Sequence, residues 1–298
     1  MTIARNDSGL RYIVLAPPVL YFGLLFVGPL LFLIALGFWT VENFQTVPGF
    51  SFANYADIAA NFVDKSNYGY ALAQTLYVAA TTAIWAVLLC YPMALAIVFA
   101  VPQRWQRLVL LLCFAPFWTS YILRVFAWQV LLAKRGIINS AFAYIGLPDV
   151  HLSILYTQMA TRVGLIHYLA PVLIVILYVS ITNIDPTLLA AASELGATRM
   201  QVLRRVILPL TRTGIVLSLS FAAIVSCGDV LSGSLLGGGA GQSVLGKLPL
   251  FANMVIREYA SSTNLPHTAA LALILVVAMI AILLVGFAVG DRLRVEVK

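Results

Sequence analysis

Charge is what this sequence has least of. Only 10% of its 298 residues are Asp, Glu, Lys or Arg, against about 25% in an ordinary soluble domain. Too few polar side chains remain to coat a particle in water, which excludes a water-soluble globular enzyme. Cysteine is scarce as well. Cys90, Cys113 and Cys227 are odd in number, lie in or beside apolar runs, and show no CxxC or Cys/His spacing. That excludes a disulfide scaffold and a thiolate metal site, so the three read as small buried hydrophobes. Walker-type glycine loops, HExxH, GxSxG and paired carboxylates are missing too. No catalytic residue, metal site or cofactor is therefore expected in this chain, and the energy for any pumping must come from an ion gradient or another polypeptide.

What is abundant is hydrocarbon. Apolar residues make up 62% of the chain, and mean hydropathy is +0.98. A bilayer core about 30 Å thick needs roughly 20 apolar residues at 1.5 Å rise each. Six segments meet that length: 13–38, 72–101, 108–132, 163–181, 214–231 and 268–290. The expected fold is all-α, a polytopic membrane protein of six transmembrane helices forming one domain over residues 1–298. The first segment is too long for a signal-peptide core and is read as an uncleaved anchor, kinked by Pro17, Pro18 and Pro29. The fifth runs into Cys227-Gly228-Asp229 and Gly237-Gly238-Gly239, so its far end is expected to break.

The net charge of +7 is accounted for by orientation before any nucleic-acid ligand is invoked. Eleven of the Lys and Arg residues fall on the side of the N-terminus, six fall on the opposite side, and Arg124 lies within a span. The excess of basic residues marks the cytoplasmic face, so both termini are expected there. Arg104 and Arg107 sit in a tight turn that makes the second and third spans an antiparallel pair.

The segment between the fourth and fifth spans, residues 183–212, has its own pattern. Asp185 then Pro186 reads as an N-cap with proline at the first helical position, and Gly196 stops the helix that follows. Thr198 with Gln201 forms a capping-box pair opening a second helix, expected to end before Pro209. Met200, Leu203, Val206 and Ile207 fall on one side of that second helix, flanked by Arg199, Arg204 and Arg205. Such a helix pair suits a surface held half by the membrane core and half by a protein partner.

These residues resemble a known motif. Ala191-Ala192, Gly196-Ala197, Val206 and Leu208-Pro209 are similar in spacing to the EAA loop of permease subunits of binding-protein-dependent ABC importers. The glutamate that opens the family pattern is replaced by Ala190, with Glu194 one turn later on the same face. The resemblance implies a type I importer permease (MetI-like) fold. It also implies that Ala190, Ala191, Ala192, Glu194, Gly196, Ala197, Arg199, Leu208 and Pro209 form a coupling helix that docks into a separate ATPase subunit. Further implied partners are a second permease subunit, homologous or identical, an extracytoplasmic solute-binding protein and the lipid bilayer. ATP and Mg would be bound by the ATPase, and the location would be the bacterial cytoplasmic (inner) membrane. Leu15-Ala16-Pro17, Ala115-Pro116-Phe117-Trp118, Gly136-Ile137-Ile138-Asn139 and Gly228-Asp229 are similar to the spermidine/putrescine branch, as are Asn253, Ile256, Tyr259, Asn264 and Pro266. That likeness implies a polyamine as the solute.

Ionisable groups inside a span are costly and so become site candidates. Arg124 shares a helical face with Phe117, Tyr121 and Trp128, and Asp229 lies near the end of the fifth span. One reading makes Asp229 a cation-attracting carboxylate on the solute's route, with Trp118, Tyr121 and Trp128 offering faces to an ammonium. The other pairs Arg124 with Asp229 as a neutralising ion pair. His167 is read as an interface histidine, or as part of a proton relay with Arg124 and Asp229 in a gradient-driven carrier or channel. Leu248, Phe251, Val255 and Tyr259 recur at helical offsets, which predicts an amphipathic element at the outer surface.

Overall fold

In lipid, every backbone N–H and C=O must find its partner within the segment, so apolar runs without interior breaks become helices. The structure, a computed structural model, describes residues 8–62, 68–146, 152–237, 250–261 and 264–295. Its first helix, α1 (Ser8–Phe22), passes through a π-turn at Gly23–Val27 into α2 (Gly28–Gly37). A hairpin follows, β1 (Thr40–Glu42) and β2 (Gln45–Val47), paired Thr40 to Val47. Its two-residue turn holds Asn43 and Phe44 at positive φ. This short hairpin sits within a fold that is otherwise helical, as expected. Then come α3 (Ala53–Ala60), α4 (Tyr68–Ala100), α5 (Gln103–Phe114) with a 3-10 turn at Ala115–Trp118, α6 (Tyr121–Leu132) and α7 (Ile137–Tyr144). The second half contains α8 (Gln158–Thr182), α9 (Pro186–Glu194), α10 (Arg199–Val202), a π-turn at Leu203–Ile207, α11 (Leu208–Leu210) and α12 (Arg212–Cys227). It closes with α13 (Leu231–Leu235), α14 (Phe251–Ser261) and α15 (Leu265–Val295).

Among the described residues, four helical stretches are long and apolar enough to cross a bilayer: Val14–Gly37, Tyr68–Ala100, Gln158–Thr182 and Leu265–Arg292. The number rises to six if Gln103–Trp118 with Tyr121–Tyr144, and Arg199–Leu210 with Arg212–Cys227, each make one span. Those two pairs are bent by 87° and 64°. The segment read from sequence as one continuous third span, 108–132, is therefore broken. Thr119 and Ser120 take extended backbone (ψ 147° and 136°), and Pro116 offers no N–H to carry the helix through.

Small residues set the packing. Ala83, Ala86, Cys90 and Ala94 form a thin stripe on α4, and Leu169, Leu173 and Leu177 of α8 fill the space they leave, with Ala222 of α12 closing the cluster. Lipid tails are as apolar as leucine, so this association rests on van der Waals fit rather than on escape from water. Gly286 belongs to the same logic, because a Cβ there would collide with the Ser220 hydroxyl across the α12–α15 contact. At the opposite end of α4, Ile58, Tyr68, Ala71, Phe251, Met254 and Leu271 form a second core that ties α3, α14 and α15 together. All three cysteines are free, Cys90 and Cys227 buried and Cys113 half-buried.

Pro209 does not end its helix, contrary to expectation. Proline clashes with the carbonyl four residues back and cannot bond to it. The π-turn just before it shifts the register, with Leu208 N–H bonding Leu203 O, and the chain remains helical to Leu210. The same device precedes Pro29, where Gly28 N–H bonds Gly23 O. A wider turn moves the offending carbonyls aside.

The amphipathic element expected at the outer surface is α14, and its first turn is buried. Phe251 is 0% exposed, its N–H donates to Thr75 Oγ1 of α4 at 2.7 Å, and Tyr259 alone of the named residues is well exposed. Leu248 falls outside the described residues, as do Gly238 and Gly239.

Candidate functional site: a capped helical hairpin and an arginine in an aromatic cage

The hairpin α9–α11 is specified bond by bond. Asp185 Oδ1 accepts the Thr187 N–H at 2.9 Å, which satisfies one orphan donor of α9. That backbone bond holds the Asp185 carboxyl below the usual carboxylate range. At the other end Ala197 N–H bonds Ala192 O and Gly196 N–H bonds Ser193 O, the paired closure of a Schellman motif. It requires a left-handed residue, and Gly196 supplies φ +77°. Two residues on, Gln201 N–H bonds Thr198 Oγ1 while Thr198 N–H bonds Gln201 Oε1 at 2.8 Å, a complete capping box.

So shaped, the hairpin leaves Ala190, Ala191, Glu194, Gly196, Arg199 and Leu208 exposed, with Ala192, Ala197 and Pro209 half-buried. Ile207 is buried against the bundle, while Leu188, Leu195 and Met200 are bare. A groove of about 500 Å³ lies between the hairpin and α4, lined by Leu95, Phe99, Leu189, Ala197, Arg199 and Leu203. An exposed apolar tip rimmed by Glu194 and Arg199 is what a docking surface requires.

The second site lies where α6, α8 and α13 meet. Asp229 is 8% exposed, and both of its oxygens are occupied. Oδ1 accepts from Tyr121 Oη at 2.5 Å, and Oδ2 accepts the N–H groups of Ser232 at 2.9 Å and Gly233 at 3.2 Å. The carboxylate thus caps the break between α12 and α13. Tyr121 Oη also lies 2.6 Å from Ser232 Oγ. Asn253 of α14 secures the same turn, donating to Val230 O and Ser234 Oγ at 3.0 Å each.

Arg124 is 9% exposed, and no ion pair joins it to Asp229. Its guanidinium carbon lies 5.9 Å from the Phe117 ring centroid, 5.8 Å from Tyr121 and 5.3 Å from Tyr168. Nε and Nη1 have no hydrogen-bond partner among the described residues. The ion-pair reading is corrected accordingly: the Tyr121 side chain reaches Asp229 with its hydroxyl and Arg124 with its ring. Three desolvated cation–π contacts are worth up to about 2 kcal/mol each, and two unpartnered buried donors cost about 1–3 kcal/mol each.

The structure brings Arg124, Asp229 and Tyr121 together and leaves the two tryptophans out. Trp118 is 73% exposed. Trp128 donates from Nε1 to His167 Nδ1 at 3.1 Å, which occupies one of the histidine's two ring nitrogens. Sequence reasoning missed Tyr168 and Ser232. No local signal marks them, because each acquires its role only when α8 and α13 meet α6.

Broken apolar spans around a buried polar cluster, with an exposed hairpin at one end, define a membrane transport subunit. The family described as "Binding-protein-dependent transport system inner membrane component" matches residues 93–295, and the chain belongs to it. It is thus a multi-pass inner-membrane permease. A relative from Salmonella typhimurium, "Spermidine/putrescine transport system permease protein PotB", is 28% identical over 295 residues, covering 99% of this chain and 98% of its own. The protein of that name from Haemophilus influenzae is 30% identical over 258 residues, 86% of this chain and 87% of its own. Among solved structures, a bacterial ABC transporter for import of the acidic polysaccharide alginate aligns at TM-score 0.71 and 18% identity, covering 95% of both chains. That likeness establishes the fold.

Proposed function

We propose that this chain is the permease subunit of an ATP-driven importer that brings a polyamine such as spermidine or putrescine into the cytoplasm. The observation that carries this reading is near-full-length similarity to polyamine permeases in a chain whose capped hairpin is shaped to dock a partner. The hairpin 183–212 engages a separate ATPase, which binds ATP and Mg and does the hydrolysis. A second permease, homologous or identical, completes the route, and an extracytoplasmic binding protein delivers the solute. Both termini and the hairpin lie in the cytoplasm, in keeping with the distribution of Lys and Arg.

Mechanically, closure of the ATPase pair pulls on α9–α11, and the 64° joint to α12 passes that movement to the broken end of α12 at Gly228 and Asp229. There the cage residues Tyr121 and Arg124 change neighbours, and the route opens on one side as it closes on the other. The test is reconstitution of the permease with its genomic neighbours in vesicles. ATP-dependent uptake of labelled spermidine that requires the binding protein is expected. Uptake of a different solute class, with none of polyamine, overturns the cargo; uptake without any ATPase overturns the energy source.

A further inference from the structure

A buried guanidinium is normally held by a carboxylate that matches its fork of donors. Arg124 is not: Asp229 commits its oxygens to Tyr121, Ser232 and Gly233, and among the described residues Arg124 Nε and Nη1 have no hydrogen-bond partner. The guanidinium lies instead beside the rings of Phe117, Tyr121 and Tyr168, all within 5.9 Å, and Tyr168 packs on the other two, 4.3 Å from Tyr121 and 6.0 Å from Phe117 between centroids. A cluster of aromatic rings beside one cation is a surface that attracts alkylammonium groups.

We propose that the Phe117–Tyr121–Tyr168 cage is an ammonium site for the cargo, and that Arg124 is its tethered stand-in, filling the cage when cargo is absent and leaving it when an alkylammonium enters. The proposal rests on the polyamine reading for the identity of the natural cation, and it deepens that reading by assigning the site. Two like charges cannot share a cage this small in a low-dielectric setting, so occupancy is exclusive. Leaving costs Arg124 little, because its idle Nε and Nη1 donors gain partners elsewhere. The Tyr121 hydroxyl donates to Asp229, which enriches the ring in electron density and strengthens its hold on any cation. The cage also straddles a break in the chain. Phe117 precedes the extended Thr119–Ser120 pair, whereas Tyr121 follows it, so a change in the 87° bend dismantles the cage and frees what it holds.

The test uses the whole transporter in nanodiscs and tetramethylammonium as the minimal cation. Arg124→Gln empties the cage, and tetramethylammonium should bind at least tenfold tighter than to the wild type by equilibrium dialysis. Tyr168→Leu added to Arg124→Gln should abolish the gain, and Arg124→Lys, which leaves a cation in place, should show none. An Arg124→Gln transporter with no gain, or one that instead loses affinity for a carboxylate solute, overturns the proposal. Where Arg124→Gln fails to assemble, the wild type decides. Modification of Arg124 by phenylglyoxal, read by peptide mass, should rise at least fivefold when cargo is trapped, and equal modification in both states overturns the cage. A binding protein that carries no polyamine would overturn the functional reading and leave the tetramethylammonium result standing.

Discussion

Tyr121 couples Arg124 to Asp229 without letting them meet: its hydroxyl donates to Asp229 Oδ1 at 2.5 Å, and its ring centroid lies 5.8 Å from the Arg124 guanidinium carbon. One side chain thus serves an anion at its tip and a cation on its face. A direct ion pair at this depth would lose much of its Coulomb gain to desolvation, whereas the bridge gives the carboxylate a short charge-assisted bond.

That geometry predicts a specific pattern of stability. Tyr121→Phe removes the donor to a buried carboxylate oxygen and should cost about 1–3 kcal/mol in thermal unfolding of the purified complex. Asp229→Asn still accepts backbone N–H bonds at the α13 turn and should reach the membrane at normal levels, whereas Asp229→Ala should not. Arg124→Gln should give no rescue of Asp229→Ala, because no ion pair joins the two. A clear rescue would restore the ion-pair reading.

Gly196 carries a second prediction. A Cβ at that position meets nothing within 4 Å, so its only demand is backbone, at φ +77°. A β-carbon costs about 1–2 kcal/mol in that region, and asparagine tolerates it best among the other residues. Gly196→Leu should lower uptake severalfold while ATP hydrolysis continues, and Gly196→Asn should transport nearly normally. Full transport by Gly196→Leu would detach the hairpin from coupling.

Orientation is open to labelling. In a background lacking Cys90, Cys113 and Cys227, a cysteine at Gln45 should react with an impermeant thiol reagent from outside the cell. Cysteines at Gln103 and Gln201 should react only after permeabilisation, because the excess of Lys and Arg on their side places it in the cytoplasm. The inverse pattern would reverse the topology and move the hairpin away from any cytoplasmic ATPase.

Asp185 predicts a pH dependence whose sign is fixed. Its carboxyl is held below the ordinary carboxylate range by the Thr187 N–H, so its support for the α9 cap is full above the unfolded carboxylate value of about 3.9 and is lost as pH falls through the lower folded value. Coupled ATP hydrolysis in vesicles should therefore be indifferent to this residue across the neutral range. Asp185→Asn should match the wild type, and Asp185→Ala should weaken coupling at every pH. A loss in Asp185→Asn at neutral pH would show that the charge, not the cap, is what matters.

Local chemistry was the legible part of this chain. The Asp185 cap, the Gly196 stop and the Thr198–Gln201 box each depend on residues within a few positions of one another, so spacing alone announces them. Hydropathy located the apolar runs, but it counts residues and is blind to direction, so the 87° break at Thr119–Ser120 passed as a straight helix. Pro209 by its usual behaviour ends a helix, yet it is compatible with one once the preceding turn widens. The cage was half visible: Phe117, Tyr121 and Arg124 share one helical face, but Tyr168 arrives from α8 and belongs to the site only through tertiary packing.

Thr211 is where the exposed hairpin becomes a membrane helix, and it is 0% exposed, with its hydroxyl 2.8 Å from Tyr91 Oη of α4. In the proposed coupling this joint would serve as a fulcrum. From it one arm, Arg199–Leu210, reaches about 18 Å toward the hairpin tip and the other, Arg212–Cys227, about 24 Å toward Asp229, at 1.5 Å per residue,. Under the proposed coupling, a push at the short arm would arrive at the long one enlarged by roughly a third, and the pivot would bear on α4 through Tyr91.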